Sequence, residues 1–416
     1  MQLQQRGLHA SPKPADGGGG GGGVGGGNQA AVDRLLANWP PGKPKAALVV
    51  LARNSDLAGV RSSLGQLERR FNGRSSARYP VVYLNDEPFT PEFRAAAAAV
   101  SAAPSFFGIV PTEHWSYPPH INQTLAAEKR DAARGRMPYG GSESYRFMCR
   151  YFSGFFFDHP LLAGFDYYWR VEPDVFFTCD IETDPFREMR AANQSLAWTI
   201  VMTEVPSTIP QLWPTVQRWL AANPALLPAD DSLLPAFLSG ADGGGGDAPV
   251  LGDLAAADDA WGAAHGLRRS SGVGARARLA QWAQRARYMG CHYWSNFEIG
   301  ALEFFRSPAY RSFFEHLDRA GGFFYERWGD APVHTLAAAV LLSRSQVRWA
   351  SDIGYRHGSW SHCPLDPESR QRCDCSPAWD ALPGAQPSCQ ADYLGRVAAL
   401  EAQQRKRQAV ARLRSV

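Results

Sequence analysis

A proline separates two carboxylates, Glu172 and Asp174, soon after an apolar and aromatic segment that begins at Phe165. Proline lacks a backbone N–H and fixes φ, so the strand that this segment predicts is expected to end and turn here. Carboxylates at the carboxyl end of a buried strand project into the crevice where α/β sheets bind ligands. With a divalent metal they could hold a nucleotide diphosphate, because hard cations prefer oxygen ligands and bridge phosphates. The alternative is an acidic turn that only ends a strand.

A second polar segment, residues 139–154, combines a glycine turn with tyrosines and arginines. Tyr145, Arg146 and Arg150 follow the turn in a stretch with helical potential. A planar guanidinium offers forked donors to phosphate oxygens, so these arginines are candidates for binding a phosphate group. The alternative is that they form structural ion pairs inside the protein.

A third segment, residues 291–299, embeds the carboxylate of Glu298 among aromatic side chains. Burial raises a carboxyl pKa unless a charge or a donor compensates for it. Glu298 is therefore expected to be either a reactive group or a paired structural one, with Arg327 as an example of a partner.

A fourth segment contains Asp330, and His357 follows some way behind it, after a strand predicted over residues 347–350. A neutral imidazole at the end of a strand could complete a metal site that carboxylates have begun. A single histidine is more often an ordinary structural residue than a ligand.

The elements that must position these residues begin with an apolar strand over residues 46–52 and a polar turn over 53–56. Apolar residues at helical spacing predict a helix over 57–71, and a second strand is predicted over 79–84. Strand, polar turn, helix and strand are typical of the start of a nucleotide-binding α/β domain. Neither a G-x-G-x-x-G nor a Walker sequence follows a predicted strand, which argues against a dinucleotide-binding fold and a P-loop.

Composition divides the chain into a folded body and two tails. Residues 1–34 include a glycine-rich tract and predict a disordered tail, residues 35–390 form the body, and residues 391–416 predict a basic helix or tail. Within the body, residues from about 240 to 287 are mainly Gly, Ala, Asp and Arg, which predicts a disordered surface insertion.

The overall composition excludes several classes of protein. The hydrophobic content of 45% and the charged content of 20% are typical of a globular protein, and a net charge of +3 does not predict nucleic-acid binding. No apolar run of about 18 residues predicts a transmembrane helix, and the N-terminus lacks the pattern of a secretory signal. Either the protein is cytosolic, or a natural N-terminus that targets it is missing from this sequence.

The cysteines favour the second alternative. Of 7 cysteines, four lie late in the chain, at Cys363, Cys373, Cys375 and Cys389. One residue between two thiols is poor spacing for a zinc ribbon, so disulfides are the better prediction. Disulfides indicate an oxidising compartment, and glycosylation sequons at 122–124 and 193–195 are compatible with a secretory lumen.

Several motifs follow one another along the chain in a defined order: ARNS (52–55), SYRFMCR (144–150), YWRVEP (168–173), CDI (179–181), CHYWSNFEI (291–299), GFFYERWGDAPVH (322–334) and DIGY (352–355). Together they resemble the Kre/Mnt-type α-1,2-mannosyltransferases of fungi, glycosyltransferase family fifteen. The resemblance covers nearly all of residues 46–389 outside the insertion, and the shared order makes it far more specific than any single motif.

The resemblance implies a GT-A-like α/β fold, with a mixed central sheet flanked by helices, for a catalytic domain over residues 35–390. It implies GDP-mannose as donor and Mn²⁺ as cofactor, with Glu172 and His357 holding the metal against the diphosphate. A mannosylated glycan on protein is the implied acceptor. Family members lie in the Golgi lumen as type II membrane proteins, and their N-terminal anchor is not visible in this sequence.

The resemblance also assigns expected roles to residues at the reacting centre. Arg53 falls in the nucleotide-binding first turn, and Tyr145 and Arg150 are expected to join it in binding the donor. Glu298 matches the residue proposed in the family as nucleophile. Tyr145 and Asp330 are expected to line the reacting centre with it.

The predicted activity is a retaining transfer of mannose to the 2-hydroxyl of a mannose acceptor. Retention requires either a covalent intermediate on a carboxylate such as Glu298 or front-face attack through an ion pair, and the sequence leaves both open. Two other classes stay possible. A metal-dependent hydrolase would need a denser set of ligands, and a sugar-binding lectin would use the aromatic residues without catalysis.

Overall fold

The computed structural model describes residues 24–74, 76–228, 231–240, 273–379 and 388–414. The strands are β1 Ala46–Leu51, β2 Val81–Asn85, β3 Ser105–Ile109, β4 Tyr167–Val171, β5 Val175–Phe177, β6 Leu196–Trp198, β7 Val201–Thr203, β8 Leu238–Ser239, β9 Arg287–Tyr288, β10 Cys291–Tyr293, β11 Phe297–Ala301, β12 Val347–Trp349, β13 Tyr355–His357 and β14 Trp360–His362. The helices are α1 Val24–Ala37, α2 Leu57–Leu67, α3 Pro91–Ala98, α4 Gln123–Ala133, α5 Glu143–Gly154, α6 Pro185–Ala191, α7 Leu212–Ala222, α8 Leu234–Phe237, α9 Val273–Ala283, α10 Leu302–Arg306, α11 Pro308–Ala320, α12 Gly322–Tyr325, α13 Asp330–Leu341, α14 Pro367–Arg370 and α15 Gln390–Arg414.

A seven-stranded mixed sheet with the order β12-β6-β11-β4-β1-β2-β3 forms the centre of the described structure. Strands β1 to β4 are parallel to their neighbours among themselves, whereas β11 is antiparallel to both β4 and β6. The apolar sequence of β1 is buried along its length because helices cover both faces of the sheet. The predicted α/β class, with a mixed central sheet flanked by helices, is confirmed.

Alternation along β4 sends its side chains into two different layers of the core. Tyr168 packs in the core on the face that α5 and α13 cover, and Trp169 packs in the other core, against residues of α2 and α6. Successive side chains of a strand point to opposite faces, so Arg170 shares the face of Tyr168. A charged residue is thereby placed inside an aromatic layer.

A small antiparallel sheet connects the turn after β4 with a distant part of the chain. Strand β13 pairs with β14 on one side and with β5 on the other, and His357 lies opposite Val175. The chain turns between β4 and β5, where Asp174 has a positive φ of 61°. The strand therefore ends at the proline as predicted, and this pairing carries His357 towards Glu172.

The predicted boundaries need three corrections. The helix predicted over residues 57–71 is α2 followed by a π-helical turn, Glu68–Asn72. Helix α1 covers residues 24–34, which were predicted to be part of a disordered tail, and α9 with β9 covers much of residues 273–287 of the predicted insertion. Residues 1–23 and 241–272, on which the rest of these two predictions falls, lie outside the described residues. The basic C-terminal segment is the helix α15.

Three disulfides confirm the prediction drawn from the late cysteines: Cys179–Cys373, Cys291–Cys389 and Cys363–Cys375. The first two close loops of 194 and 98 residues, so they tie the C-terminal segment to the strands of the body. Cys149 is a free, buried thiol, and burial raises its pKa. Such disulfides favour an oxidising compartment.

We expect thiol labelling to report this arrangement directly. The native, non-reduced protein should show almost no labelling, because the Cys149 thiol is buried and protonated. Denaturation without reductant should expose one thiol per chain, and reduction should expose all 7. Labelling of the late cysteines without reduction would contradict a location in an oxidising lumen.

Among the residues that the structure describes, no helix combines the length and the apolar composition that crossing a bilayer requires.

Candidate active site

A cleft of about 290 Å³ opens at the carboxyl edge of the central sheet, where β1, β2 and β4 end. Its lining comprises Leu51, Ala52, Arg53, Asp56, Asn85, Asp86, Trp115, Tyr139, Ser142, Ser144, Tyr145, Met148 and Glu172. Ligands of α/β proteins bind at this edge because the strands end there and loops surround the crevice. The structure therefore brings Arg53, Tyr145 and Glu172 together in one cleft, as the sequence predicts.

Glu172 is joined to Asp330 through a buried arginine that the sequence analysis missed. Arg170 donates from Nε to Glu172 Oε1 at 2.6 Å and from Nη1 to Asp330 Oδ2 at 2.5 Å. Ser295 donates its hydroxyl to the same oxygen of Asp330 at 2.7 Å. A signal for Arg170 exists in the sequence, since a charged residue inside an aromatic strand, two positions before Glu172, must share its face.

The charge of Arg170 is stabilised even though only 4% of the residue is exposed. Burial lowers its pKa, but the carboxylates of Glu172, Asp330 and Glu298 outweigh burial and raise that pKa. The guanidinium also lies 3.6 Å from the centre of the Phe152 ring, where the ring face favours a cation. Burial raises the pKa of Asp330, but Arg170, His334 and Ser295 outweigh it and hold that pKa below its ordinary value.

Glu298 lies below the cleft in a buried cluster and is only 2% exposed. Tyr168 donates its hydroxyl to Oε1, and His334 Nδ1 lies 3.0 and 2.9 Å from the two carboxylate oxygens. The predicted alternative partner, Arg327, pairs instead with Glu204 at 3.1 Å. The role of Glu298 as nucleophile stays a prediction. To act as a nucleophile, the carboxylate would have to break its hydrogen bond with Tyr168 or with His334.

His334 completes the cluster from α13, one helical turn after Asp330. Its Nε2 lies 3.0 Å from the carbonyl oxygen of Phe152, so both ring nitrogens face acceptors. Burial lowers the pKa of His334, but Glu298 outweighs burial and raises it. The cluster is a buried ion pair. Its sequence signal is the spacing of Asp330 and His334, since residues four apart share a helix face.

The pair between Glu298 and His334 predicts a pH-dependent contribution to stability. A histidine whose pKa is raised by folding stabilises the protein fully below its unfolded pKa of about 6.5, and this stabilisation is lost as the pH rises through the folded pKa. We expect the difference in melting temperature between wild type and His334→Asn to be largest near pH 6 and to shrink towards pH 9. A difference that grows with pH would show that His334 is neutral in the folded protein.

Tyr145 stands at the mouth of the cleft in the first turn of α5. Ser142 caps this helix by accepting from the Tyr145 backbone N–H at 3.1 Å, which fixes the position of the ring. Tyr139 stacks on the ring with centroids 4.4 Å apart, and the guanidinium of Arg327 lies 5.3 Å from its centre. Burial raises the pKa of Tyr145, so its hydroxyl keeps its proton and is available as a donor.

The two arginines predicted to bind the donor have different positions. Arg53 follows β1, lines the cleft and donates from Nη2 to Ser144 at 2.9 Å. Arg150 is not among the residues that line the cleft: its Nε and Nη2 donate to Asp318 at 2.7 and 2.9 Å and join α5 to α11. Its guanidinium also packs over Phe155. The structural ion pair, which was the alternative, is the role that the structure gives Arg150.

His357 is held beside the acidic turn with one nitrogen available. Its Nδ1 lies 2.5 Å from Asn296 Nδ2, and its Nε2 has no hydrogen-bond partner among the described residues. Burial lowers the pKa of His357 against the opposing effect of Glu172 and Asp174, so the imidazole is neutral, as a metal ligand must be. Glu172 Oε2 likewise has no protein partner in the described part of the chain.

One other group of potential metal ligands occurs in the described ranges. Cys179, Cys373 and Cys375 have sulfur atoms within 4.8 Å of one another, but all three sulfurs belong to disulfides. A thiolate site is therefore excluded at this position. Glu172 and His357 stay the predicted donors for a hard cation.

Comparison with known proteins gives one family. The family model described as glycolipid 2-alpha-mannosyltransferase matches residues 29–397. The glycolipid 2-alpha-mannosyltransferase of Saccharomyces cerevisiae is 44% identical over 336 residues, which are 80% of this chain and 66% of that protein. Glycolipid 2-alpha-mannosyltransferase 1 of Candida albicans is 42% identical over 81% of this chain and 68% of its own length. The chain thus spans about two thirds of the length of these relatives.

Solved structures agree with this assignment. Core-mannan synthase A of Aspergillus fumigatus, in its Mn/GDP form, has a TM-score of 0.70 and 36% identity over 87% of this chain and 88% of that chain. The mannosyltransferase Ktr4p of S. cerevisiae, in complex with GDP, has a TM-score of 0.70 and 29% identity over 89% and 90%. The predicted GT-A-like fold and the predicted family are confirmed. The chain belongs to the glycolipid 2-alpha-mannosyltransferase family, which is the Kre/Mnt family of fungal α-1,2-mannosyltransferases.

Proposed function

We propose that this protein transfers mannose from GDP-mannose to the 2-hydroxyl of a mannose residue, with retention of the α-configuration. The observation that carries the proposal is the family match over residues 29–397, which contains every residue that lines the cleft. Two related crystal structures contain GDP, and one of them contains manganese as well. GDP-mannose and Mn²⁺ are therefore the donor and the cofactor that we propose here.

Glu172 in the cleft and His357 beside the acidic turn offer free donors that fit a manganese ion. Glu172 Oε2 and His357 Nε2 are each without a protein partner among the described residues, and they offer one anionic and one neutral ligand. Diphosphate oxygens and water would complete an oxygen-rich shell, as hard cations require. The ion supplies charge neutralisation for the diphosphate that leaves. Arg170 donates a hydrogen bond to the other oxygen of Glu172, Oε1, and thereby orients the carboxylate.

The protein's own residues are arranged to bind and orient the donor. Arg53 projects into the cleft next to Ser144, where its guanidinium can stabilise phosphate charge. Tyr145 presents a protonated hydroxyl in the same cleft, and Asp330 carries a negative charge beneath it. A fixed carboxylate near a developing sugar cation is electrostatically favourable, because buried charges are weakly screened. We assign Tyr145 and Asp330 to the reacting centre on this basis.

Retention leaves two routes, which differ in the role of Glu298. In the first, the carboxylate displaces GDP and forms a covalent mannosyl ester. The acceptor hydroxyl then attacks the anomeric carbon of this ester and releases the carboxylate. In the second, the acceptor attacks the face that GDP leaves, and Glu298 acts only through its charge. The engagement of both its oxygens by Tyr168 and His334 favours the second route.

The acceptor that we propose is a mannosylated glycan on a protein, in the Golgi lumen. Relatives are named for glycolipid and for O-glycoside acceptors, so the activity that their names share is the transfer of α-1,2-linked mannose to a glycan. The disulfides support an oxidising lumen.

One assay tests the proposal against its rivals. The protein is incubated with labelled GDP-mannose, Mn²⁺ and α-methyl mannoside, with and without the acceptor, and the product linkage is determined by NMR. We expect an α-1,2-linked disaccharide that requires both acceptor and metal. Release of mannose at the same rate without acceptor would indicate a hydrolase, and binding of mannose with no turnover would indicate a lectin.

A further inference from the structure

Asn296 lies between His357 and Tyr355 at the turn that joins β10 to β11. The residue is only 6% exposed, and its amide is engaged at both ends. Its Nδ2 lies 2.5 Å from His357 Nδ1, and its Oδ1 accepts from the hydroxyl of Tyr355 at 3.0 Å. A buried amide with both ends engaged is held in its place between the two rings. The imidazole that it contacts is thereby fixed at Nδ1.

Trp294, from the same turn, holds the imidazole from its face. Its ring stacks on His357 with centroids 5.0 Å apart and planes inclined by 22°. A stacked neighbour restricts rotation of the ring, and the amide restricts its tilt. With both restraints, Nε2 lies on the side of the ring away from Asn296. Nε2 is also the nitrogen with no hydrogen-bond partner among the described residues.

The orientation of the Asn296 amide determines which nitrogen of His357 carries the proton. With Nδ2 towards the ring, Nδ1 accepts a hydrogen bond and Nε2 carries the proton. Rotating the amide by 180° keeps both contacts, because the Tyr355 hydroxyl can accept as well as donate. Nδ1–H then donates to Oδ1, and Nε2 presents a lone pair. A cation beside Glu172 selects this second arrangement, since an N–H directed at a metal is repelled.

We propose that Asn296 is a positioning residue that holds His357 as its Nδ1–H tautomer, with Nε2 directed to the divalent cation. The inference rests on the proposed function, because it assigns a role within the same metal site. It explains why the CHYWSNFEI segment carries an amide at position 296. Three polar side chains of this segment each form a hydrogen bond with one residue of the site: Ser295 with Asp330, Glu298 with His334, and Asn296 with His357.

The first test measures the affinity of Mn²⁺ for the protein–GDP complex by electron paramagnetic resonance. We expect Asn296→Ala to weaken it about 10–100-fold, the usual cost of losing the partner of a metal-bound histidine. Asn296→Asp should restore the affinity, because a carboxylate accepts from Nδ1–H. Tyr355→Phe is the matched control, since it keeps the amide and should cost less than about tenfold. Melting temperatures are recorded for every variant.

The second test reads the tautomer in wild-type protein labelled with ¹⁵N-histidine, without added metal and with Zn²⁺ as a diamagnetic substitute. A protonated Nδ1 and an unprotonated Nε2 at His357 with the metal would support the inference. Protonated Nε2 under both conditions, or unchanged Mn²⁺ affinity in Asn296→Ala, would overturn the inference about Asn296. Mannose transfer by the wild type would show in that case that the proposed function is still correct. Absence of Mn²⁺ binding by the wild type would overturn the proposed metal site as well. If Asn296→Ala does not fold, the tautomer measured in the wild type alone decides whether the inference holds.

Discussion

Glu172→Gln and His357→Ala are each expected to abolish most of the Mn²⁺-dependent gain in GDP affinity without unfolding the protein. The amide that Glu172→Gln introduces would keep an acceptor for Arg170 Nε but lose the negative charge that a hard cation requires. His357→Ala removes the neutral imidazole and leaves its neighbours packed. We expect the Mn²⁺ affinity to fall about 100-fold or more, since removing even a residue that only contacts a metal ligand lowers metal affinity about 10–100-fold. Calorimetric titration of GDP with and without Mn²⁺ measures it.

Asp174→Asn provides the matched control for this prediction. Asp174 lies two residues from Glu172, is exposed, and has a φ of 61°, which asparagine tolerates. The substitution removes one negative charge from the same turn without removing a proposed ligand. We expect GDP affinity to change little. Equal losses in Asp174→Asn and Glu172→Gln would mean that the general charge of the turn, and not a specific ligand, attracts the cation.

The sequence predicted the elements whose pattern is local. The apolar run of β1, the polar turn after it and the aromatic β4 each occupy consecutive residues, so periodicity and turn chemistry are sufficient. The proline after Glu172 predicted the end of β4 correctly, and the parallel sheet then brings Arg53 and Glu172 to one edge. Motif order supplied the family, which local patterns could not.

Partners separated by long stretches of chain could not be predicted in the same way. Arg150 and Asp318 are 168 residues apart, and only the packing of α5 against α11 shows that they pair. Glu298 and Arg327 are near in sequence, yet the antiparallel register of β11 directs Glu298 towards His334 instead. Charge and spacing give the candidates for a pair. The register and the helix packing decide between them.

Arg170 links the parts of the site that the sequence analysis treated separately. Its guanidinium contacts Glu172 and Asp330, and its strand position lies opposite Glu298. A buried cation among three carboxylates offsets part of their mutual repulsion. The proposed metal ligand and the charged groups of the proposed reacting centre are therefore coupled through one side chain. This coupling explains why a charged residue occurs in an otherwise aromatic strand.

The last prediction concerns the chemical role of Glu298. Glu298→Gln keeps the shape of the side chain but removes its charge, so we expect mannose transfer to fall on the order of 10²–10³-fold, as for the loss of a preorganised charge-stabilising group. Binding of GDP with Mn²⁺ should persist, because Glu298 is not among the residues that line the cleft. The substitution also breaks the buried pair with His334, which is expected to cost about 3–5 kcal/mol of stability. A loss of transfer alone would therefore not separate catalysis from folding.

His334→Asn separates the two effects, because it breaks the same ion pair and leaves the carboxylate in place. Melting temperature, GDP affinity and mannose transfer are measured for both variants at a temperature where both are folded. If the charge of Glu298 serves the reaction, both variants lose similar stability, but only Glu298→Gln loses transfer by orders of magnitude. Similar losses of transfer in both would give Glu298 a purely structural role. Near-normal transfer in Glu298→Gln would exclude it as nucleophile, and front-face attack would then account for retention.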